Sequence, residues 1–230
     1  MISTEPPTNF IPYTKPPRHR HAAVMFVDLD HFMRICIDDP PEAVFGLLSD
    51  FQYVVTDQVS RFGGELNSYQ GDGALATFWD ESDNADSATR TLQCARRILE
   101  QVHVLGCDYG NDRIPAVSVS IGLQYGEIWT STLTSSKSFG PTLIGDAVNV
   151  AARLEKQAQT LGTKIVAGDE LIQRARCESQ TSDLTQFVSA GPVFVRGRHA
   201  PVHVWMLRSQ PTEFLQESAP VRSIDSDMRC

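Results

Sequence analysis

Apolar residues first gather at His21–Asp28, where His-Ala-Ala-Val-Met-Phe-Val runs almost unbroken into a carboxylate. A short continuous apolar run predicts a buried strand. After Pro40 and Pro41, the residues Val44, Leu47, Leu48, Phe51, Val54, Val55 and Val59 recur at helical spacing. Glu42–Phe62 is therefore expected to be a helix, stopped by Gly63-Gly64. Glu65–Gln70 and Ala74–Trp79 read as short strands around Gly71-Asp72-Gly73, a hairpin turn by composition. Ser82–Leu105 has the pattern of a second amphipathic helix, Ala116–Tyr125 that of a strand rich in β-branched residues, and Gly145–Gln159 that of a third helix. Lys164–Ala167, Phe187–Val195 and Val202–Leu207 read as later strands. Helices alternating with strands, plus one hairpin, predict an α+β sandwich: a mixed β-sheet with helices packed on one face.

Two stretches fall outside this pattern. Residues 1–20 carry five prolines and end in Arg18-His19-Arg20, as expected of an extended arm. Residues 209–230 are polar and read as a C-terminal tail, which leaves 21–208 as one continuous domain. The net charge of −8 disfavours nonspecific binding to nucleic acid or to a membrane surface, so neither is an expected partner. A nucleotide substrate would need local metal or basic groups. The five cysteines are odd in number and show no metal-binding spacing, which suits free thiols in a reducing compartment. No apolar run approaches the roughly 18 residues of a membrane span, and no signal-peptide core is present. A cytoplasmic location is the expectation.

The carboxylates add candidate chemistry. Asp28 ends the first predicted strand and Asp72 tops the hairpin. Taken singly, such aspartates are more often turn or cap residues. If the strands are neighbours, however, the two converge at one end of the sheet. Two Mg²⁺ ions held there could clamp a triphosphate and activate a hydroxyl. Mg²⁺ favours one or two carboxylates supplemented by phosphate oxygens, which suits a sparse site. Asp30 is expected to be the N-cap of the next helix.

Two families open with a string like Phe26-Val27-Asp28-Leu29-Asp30-His31-Phe32. Arg61-Phe62-Gly63-Gly64-Glu65 resembles the start of the diguanylate cyclase signature RxGGDEF, but Leu66-Asn67 then replaces its end. Ile144–Leu154, "IGDAVNVAARL", closely resembles the GxxVNxAxRL helix start of the class III nucleotidyl cyclases. "FVDLDHF", "GGELNSYQGDGALATF", "GTKIVAGDELIQRA" and "VRGRHAPVHVW" are similar to that family's other elements, in order, over about residues 21–208. The resemblance implies a ferredoxin-like sandwich and a head-to-tail homodimer with two shared active sites. It implies two Mg²⁺ or Mn²⁺ ions per site and a nucleoside triphosphate cyclised to a 3′,5′-cyclic nucleotide plus pyrophosphate. It assigns metal binding to Asp28, Asp72 and the backbone carbonyl of Leu29. Asn149 and Arg153 would act from the partner chain on the ribose and the triphosphate. These two lie four apart, hence on one helix face, and a guanidinium fork suits an oxyanion of spreading charge. Arg198 or Arg196 would stand where the family places a phosphate-binding Lys.

The base-reading positions depart from the family. Adenylate cyclases usually carry Lys, and guanylate cyclases Glu, where this chain has Ser68; Thr142 occupies the second position and is compatible with adenine. A site built to hydrogen-bond one base rejects others by leaving its own polar groups unpaired. Losing the purine reader resembles the pyrimidine cyclases of bacterial antiphage (Pycsar-type) defence, which are similarly compact. The expected substrate is UTP before CTP, the product a messenger for a separate effector protein. Tyr69 and Tyr53 are expected to offer a stacking face to the base. An adenylate cyclase with an atypical pocket is the alternative, and an inactive cyclase-like regulatory domain a further one.

Overall fold

The computed structural model describes residues 16–80, 86–109, 117–132, 141–178, 182–195, 198 and 200–208. In chain order the elements are β1 (Arg18–Leu29), α1 (Phe32–Asp38), α2 (Pro41–Arg61), β2 (Glu65–Gln70), β3 (Gly73–Trp79), α3 (Ser87–Tyr109) and β4 (Val119–Ser131). They continue with β5 (Thr142–Ile144), α4 (Asp146–Thr160), β6 (Ile165–Gly168), α5 (Asp169–Glu178), a 3-10 turn (Ser182–Gln186), β7 (Phe187–Val193) and β8 (Val202–Leu207). The strands form one sheet in the order β2-β3-β1-β4-β6-β8-β7, with β5 on the far half of β4. Only the β4–β6 pairing is parallel among the described strands, so the sheet is mixed.

Alternation along β1 sorts its side chains between two layers. Ala23, Met25, Val27 and Leu29 join the core under α2, α3 and α5, with Phe51, Val55, Leu92, Ile98, Leu171 and Ile172. This is the expected layer of helices on one face. Full burial of a side chain such as Phe51 or Ile98 contributes about 2–3 kcal/mol. Ala22 and Val24 point to the other side, where α4 lays Ala147 and Ala151 over them. Further along α4, Val150, Leu154 and Ala158 meet Val166, Val202 and Val204. Among the described helices, the one bearing the VN motif covers this second sheet face.

A salt-bridged clasp closes the end of the sheet remote from the carboxylates. Glu178, on α5, has a side chain only 2% exposed. It accepts hydrogen bonds from the backbone amides of Ala88 (3.2 Å) and Thr89 (2.8 Å) and from Arg174 Nε (3.0 Å). A carboxylate suits the positive end of α3, whose first amides have no partner within the helix. Glu178→Ala is expected to cost about 2 kcal/mol by stranding these donors. In a chain of this size that lowers the melting temperature by about 4–8 °C, as calorimetry would read, with KM for substrate unchanged.

The structure moves several expected boundaries. β1 begins at Arg18, inside the stretch assigned to the arm, because Arg18–His21 pair with Glu127–Thr130 of β4. That same pairing carries β4 six residues beyond Tyr125. Periodicity does not distinguish α1, β5 and α5, the first two being seven and three residues long. The rest of the arm (1–15) and the tail (209–230) lie outside the described residues. Among the described residues no helix is long and apolar enough to cross a membrane.

Candidate active site

The hairpin and β1 bring the two carboxylates together as expected. β3 pairs antiparallel with β1 so that Gly73 stands opposite Asp28, and Leu29 N donates to Asp72 O at 3.3 Å. Asp72 is thereby carried to the end of β1 by the β2–β3 turn. A Cβ on Gly73 would lie 2.7 Å from Asp28 Oδ1, so only glycine leaves the carboxylate its place. Gly73→Ala is expected to lower turnover at least tenfold by displacing Asp28, since small misplacements of reacting groups are costly. A metal titration of the activity would show a raised metal requirement.

The electrostatics fit a cation. Burial pushes the Asp28 carboxyl up to about 6, the charges of Asp72 and Asp30 push it the same way, and Lys156 only partly offsets them. Forcing acids together in a partly desolvated pocket is costly unless a positive charge joins them. Two carboxylates and a strand-end backbone match a Mg²⁺ ion that completes its shell with phosphate oxygens and water. Among the described residues no cluster of three or more His, Cys, Asp or Glu side chains makes an all-protein metal cage.

Asp30 is not a helix cap, contrary to expectation. His31 holds the N-cap position of α1, in a left-handed conformation and with no side-chain cap bond. Asp30 instead turns inward, 5% exposed, and binds Ser118, Ser120, Gln159 and Lys164. Burial alone would push its carboxyl up, but the bonds from Lys164, Ser118 and Ser120 outweigh it and hold the group below its ordinary value. The alternation Phe26, Asp28, Asp30 was the available clue that Asp30 stays with the site rather than with α1.

α4 adds a residue that motif reading missed. Glu155 is 4% exposed, on the same helical stripe as Ala147, Ala151, Leu154 and Ala158. Burial pushes its carboxyl up to about 7, and the charge of Asp28 adds the most to that push. An acid on the buried stripe of an amphipathic helix is the signal that could have found it. Asn149 is exposed and Arg153 half-buried on a different side of α4. Neither has a hydrogen-bond or ion-pair partner among the described residues. Lys156, not Arg153, is the α4 cation that acts on Asp28.

The base-pocket candidates separate. Ser68 pairs with Leu75, which belongs to the layer under α4, so Ser68 faces the α4 side of the sheet. A bulge at Asn67, between Leu66 and Ser68, sets this orientation. Tyr69 points the other way: its hydroxyl donates to Gln52 O at 2.7 Å and lies 2.7 Å from Thr56 Oγ1, both on α2. Tyr53 is 73% exposed on that same helix. Neither tyrosine stands on the face that carries Asp28, which corrects the expected stacking role. Thr142 pairs with Ser131, whereas the row of Ser68, Leu75 and Phe26 ends at Gly122 of β4. Leu143, next to Thr142, nevertheless packs in the same cluster as Leu75, the cross-strand partner of Ser68. Arg198 Nη1 lies 3.5 Å from Asp146 at the start of α4; Arg196 lies outside the described residues.

Comparison with known proteins bears on the family and the fold. The uncharacterized protein Rv1320c of Mycobacterium tuberculosis is 26% identical over 206 residues, 90% of this chain and 33% of that protein. The chain spans about a third of the length of the curated relatives it matches. Among solved structures, a bacterial light-regulated adenylyl cyclase superposes with a TM-score of 0.72 at 24% identity, covering 85% of this chain and 53% of that one. The adenylyl cyclase CyaB from P. aeruginosa also gives 0.72, at 18% identity, over 85% of this chain and 97% of that one. At these identities the structural likeness speaks to the fold. The model of the adenylate and guanylate cyclase catalytic domain matches residues 14–209, which takes in both carboxylate strands, the hairpin and α4, and the chain belongs to that family.

Proposed function

We propose that the chain is a homodimeric nucleotidyl cyclase whose two active sites each combine Asp28 and Asp72 of one protomer with Asn149 and Arg153 of its partner. The observation that carries this reading is the division of labour on one sheet face. The carboxylates crowd at the end of β1 with Lys156 only partly offsetting them, while Arg153 on α4 has no hydrogen-bond or ion-pair partner among the described residues. A second copy in head-to-tail orientation would bring the two sets together.

Asp28, Asp72 and the Leu29 carbonyl would hold Mg²⁺ or Mn²⁺, which when bound neutralises the triphosphate and favours ionisation of the ribose 3′-hydroxyl. The hydroxyl oxygen forms the new bond to the α-phosphorus, the bond to pyrophosphate breaks, and the hydroxyl proton leaves to solvent. Asn149 orients the ribose, and Arg153 meets the charge that develops on the phosphates. Asp72→Ala and Arg153→Ala chains are each expected to lose at least about a hundredfold in turnover. Mixed, they should regain about a quarter of wild-type activity, since half of randomly paired dimers are mixed and each carries one intact site. Mixed dimers without activity would contradict the shared site.

For the base, Ser68 carries the argument. It faces the α4 side, where a Lys or Glu would read a purine, and its short hydroxyl reaches less far. The substrate is a pyrimidine nucleotide, UTP before CTP. The cyclic product then signals to a separate effector protein in antiviral defence, as in the cyclases it resembles. Ser68→Lys is expected to shift the ATP-to-UTP preference toward ATP by about tenfold or more, read as a ratio of kcat/KM values. The second reading, adenylate cyclase with an atypical pocket, is favoured by Thr142. It requires Ser68→Lys to leave an already ATP-preferring ratio on the same side.

A further inference from the structure

We propose that Asp30 is a positioning residue that joins the two active sites of the dimer. It ties the Asp28–Leu29 end of β1 to the C-terminal end of α4, the helix whose Asn149 and Arg153 serve the partner's site. The inference rests on the shared-site reading.

The Asp30 carboxylate is saturated by donors from four places in the chain. Oδ1 accepts from Ser120 Oγ at 2.6 Å and Gln159 Nε2 at 3.2 Å; Oδ2 accepts from Ser118 Oγ at 2.6 Å and Lys164 Nζ at 2.7 Å. Four donors match the lone-pair sites of a carboxylate, the condition under which a buried charge is tolerable. The backbone takes part too, since Asp30 N donates to Ser118 O at 2.8 Å. Ser118 immediately precedes β4 and Ser120 is its second residue.

Gln159 and Lys164 belong to the end of α4 and the turn beyond it. Gln159 is the penultimate residue of the helix. Lys164 comes after a three-residue turn that Thr163 N closes onto Ala158 O at 3.0 Å and Gly162 N onto Gln159 O at 3.2 Å. Lys164 thus follows directly on the helix end, and its carbonyl accepts from Ile121 N of β4 at 2.8 Å. Asp30 is one residue from Leu29 and two from Asp28 along a continuous chain. A shift of α4 along the sheet thus reaches the metal end of its own protomer, and a shift of that end reaches the helix that completes the other site.

The test places one change at a time in the mixed dimer of Asp72→Ala and Arg153→Ala chains. There the Arg153→Ala chain supplies the working metal end and the Asp72→Ala chain the working α4. Asp30→Asn in the chain that supplies α4 is expected to lower kcat about tenfold with the metal requirement unchanged. Placed in the chain that supplies the metal end, it should raise the metal concentration for half-maximal rate severalfold. Gln159→Ala changes an exposed residue, so its folding is secure. It should lower kcat about threefold from the α4-supplying chain alone. Effects confined to the metal-supplying chain, with Gln159→Ala silent in both, would overturn the joint. Equal losses from either placement that merely track thermal stability would overturn it as well. A parent mixture that forms dimers yet shows no activity would instead strike down the shared-site reading, and the joint with it.

Discussion

Asp28→Asn is expected to cut cyclisation by orders of magnitude and, at pH 8 without metal, to make the chain harder to unfold. Both effects come from one carboxylate. Its ordinary value of 3.8 is pushed up to about 6 in the fold, first by burial and then by Asp72 and Asp30. Below about pH 4 the folded and unfolded chains both carry the proton, and the crowding costs nothing. Between about pH 4 and 6 the unfolded chain gives the proton up while the folded chain still holds it, so stability falls as pH rises. Above about pH 6 the full penalty is present. Glu155, raised to about 7, extends the decline to that pH. Asn removes the Asp28 share, which after solvent screening is about 1 kcal/mol, or about 2–4 °C in melting temperature. The gain should be present at pH 8 and absent at pH 3. Activity should fall by roughly 10²–10³-fold, because a metal ligand is worth several kcal/mol in the transition state. Thermal melts at the two pH values and a turnover assay check the pair of effects. An Asn variant no more stable than the parent at pH 8 would show that the carboxylates are not in conflict.

Gly122→Ala is expected to be among the most destabilising single changes in the chain. A Cβ at this position on β4 would fall inside the backbone of α4, against Ala151 O and Glu155 N. Neither is the end of a flexible side chain, so the helix must leave the sheet or the strand must bend. Overpacking of this kind costs about 3 kcal/mol, which lowers the melting temperature by about 6–12 °C. The same displacement moves Asn149 and Arg153, so kcat should fall even in the folded fraction. Calorimetry and turnover measured well below the new midpoint separate the two. Turnover per folded chain equal to the parent's would mean that α4 does not position the partner-facing pair.

Much of this frame was legible in the residues alone. The apolar run of β1, the stripe of α2 and the Gly71-Asp72-Gly73 turn are local signals, and each lies within a residue or a few of its expected bounds. The meeting of Asp28 with Asp72 followed from a strand end and a hairpin tip. What failed was long-range. Asp30 read as a cap because its neighbours in sequence allow one, yet its partners Ser118 and Lys164 lie 88 and 134 residues away. Tyr69 read as a pocket wall because it adjoins Ser68, but neighbours on a strand face opposite sides, and only the placement of α4 says which side matters. Glu155 lies one residue past a motif read for Asn149 and Arg153. The bulge at Asn67 and the closeness of Gly122 to α4 are properties of packing that no period in the sequence reports.

The most direct measurement is of the product. The purified chain is incubated separately with ATP, GTP, CTP and UTP and with Mg²⁺ or Mn²⁺, and cyclic nucleotide is identified by mass. A cyclic nucleotide formed by the wild-type chain and lost with Asp72→Ala is the expected result, with cyclic UMP the dominant species. A dominant cyclic AMP peak would contradict the reading of Ser68 and leave the catalytic frame standing. No cyclic product from any of the four, from a dimeric and folded protein, would contradict the central claim that these carboxylates and Arg153 form a working cyclase.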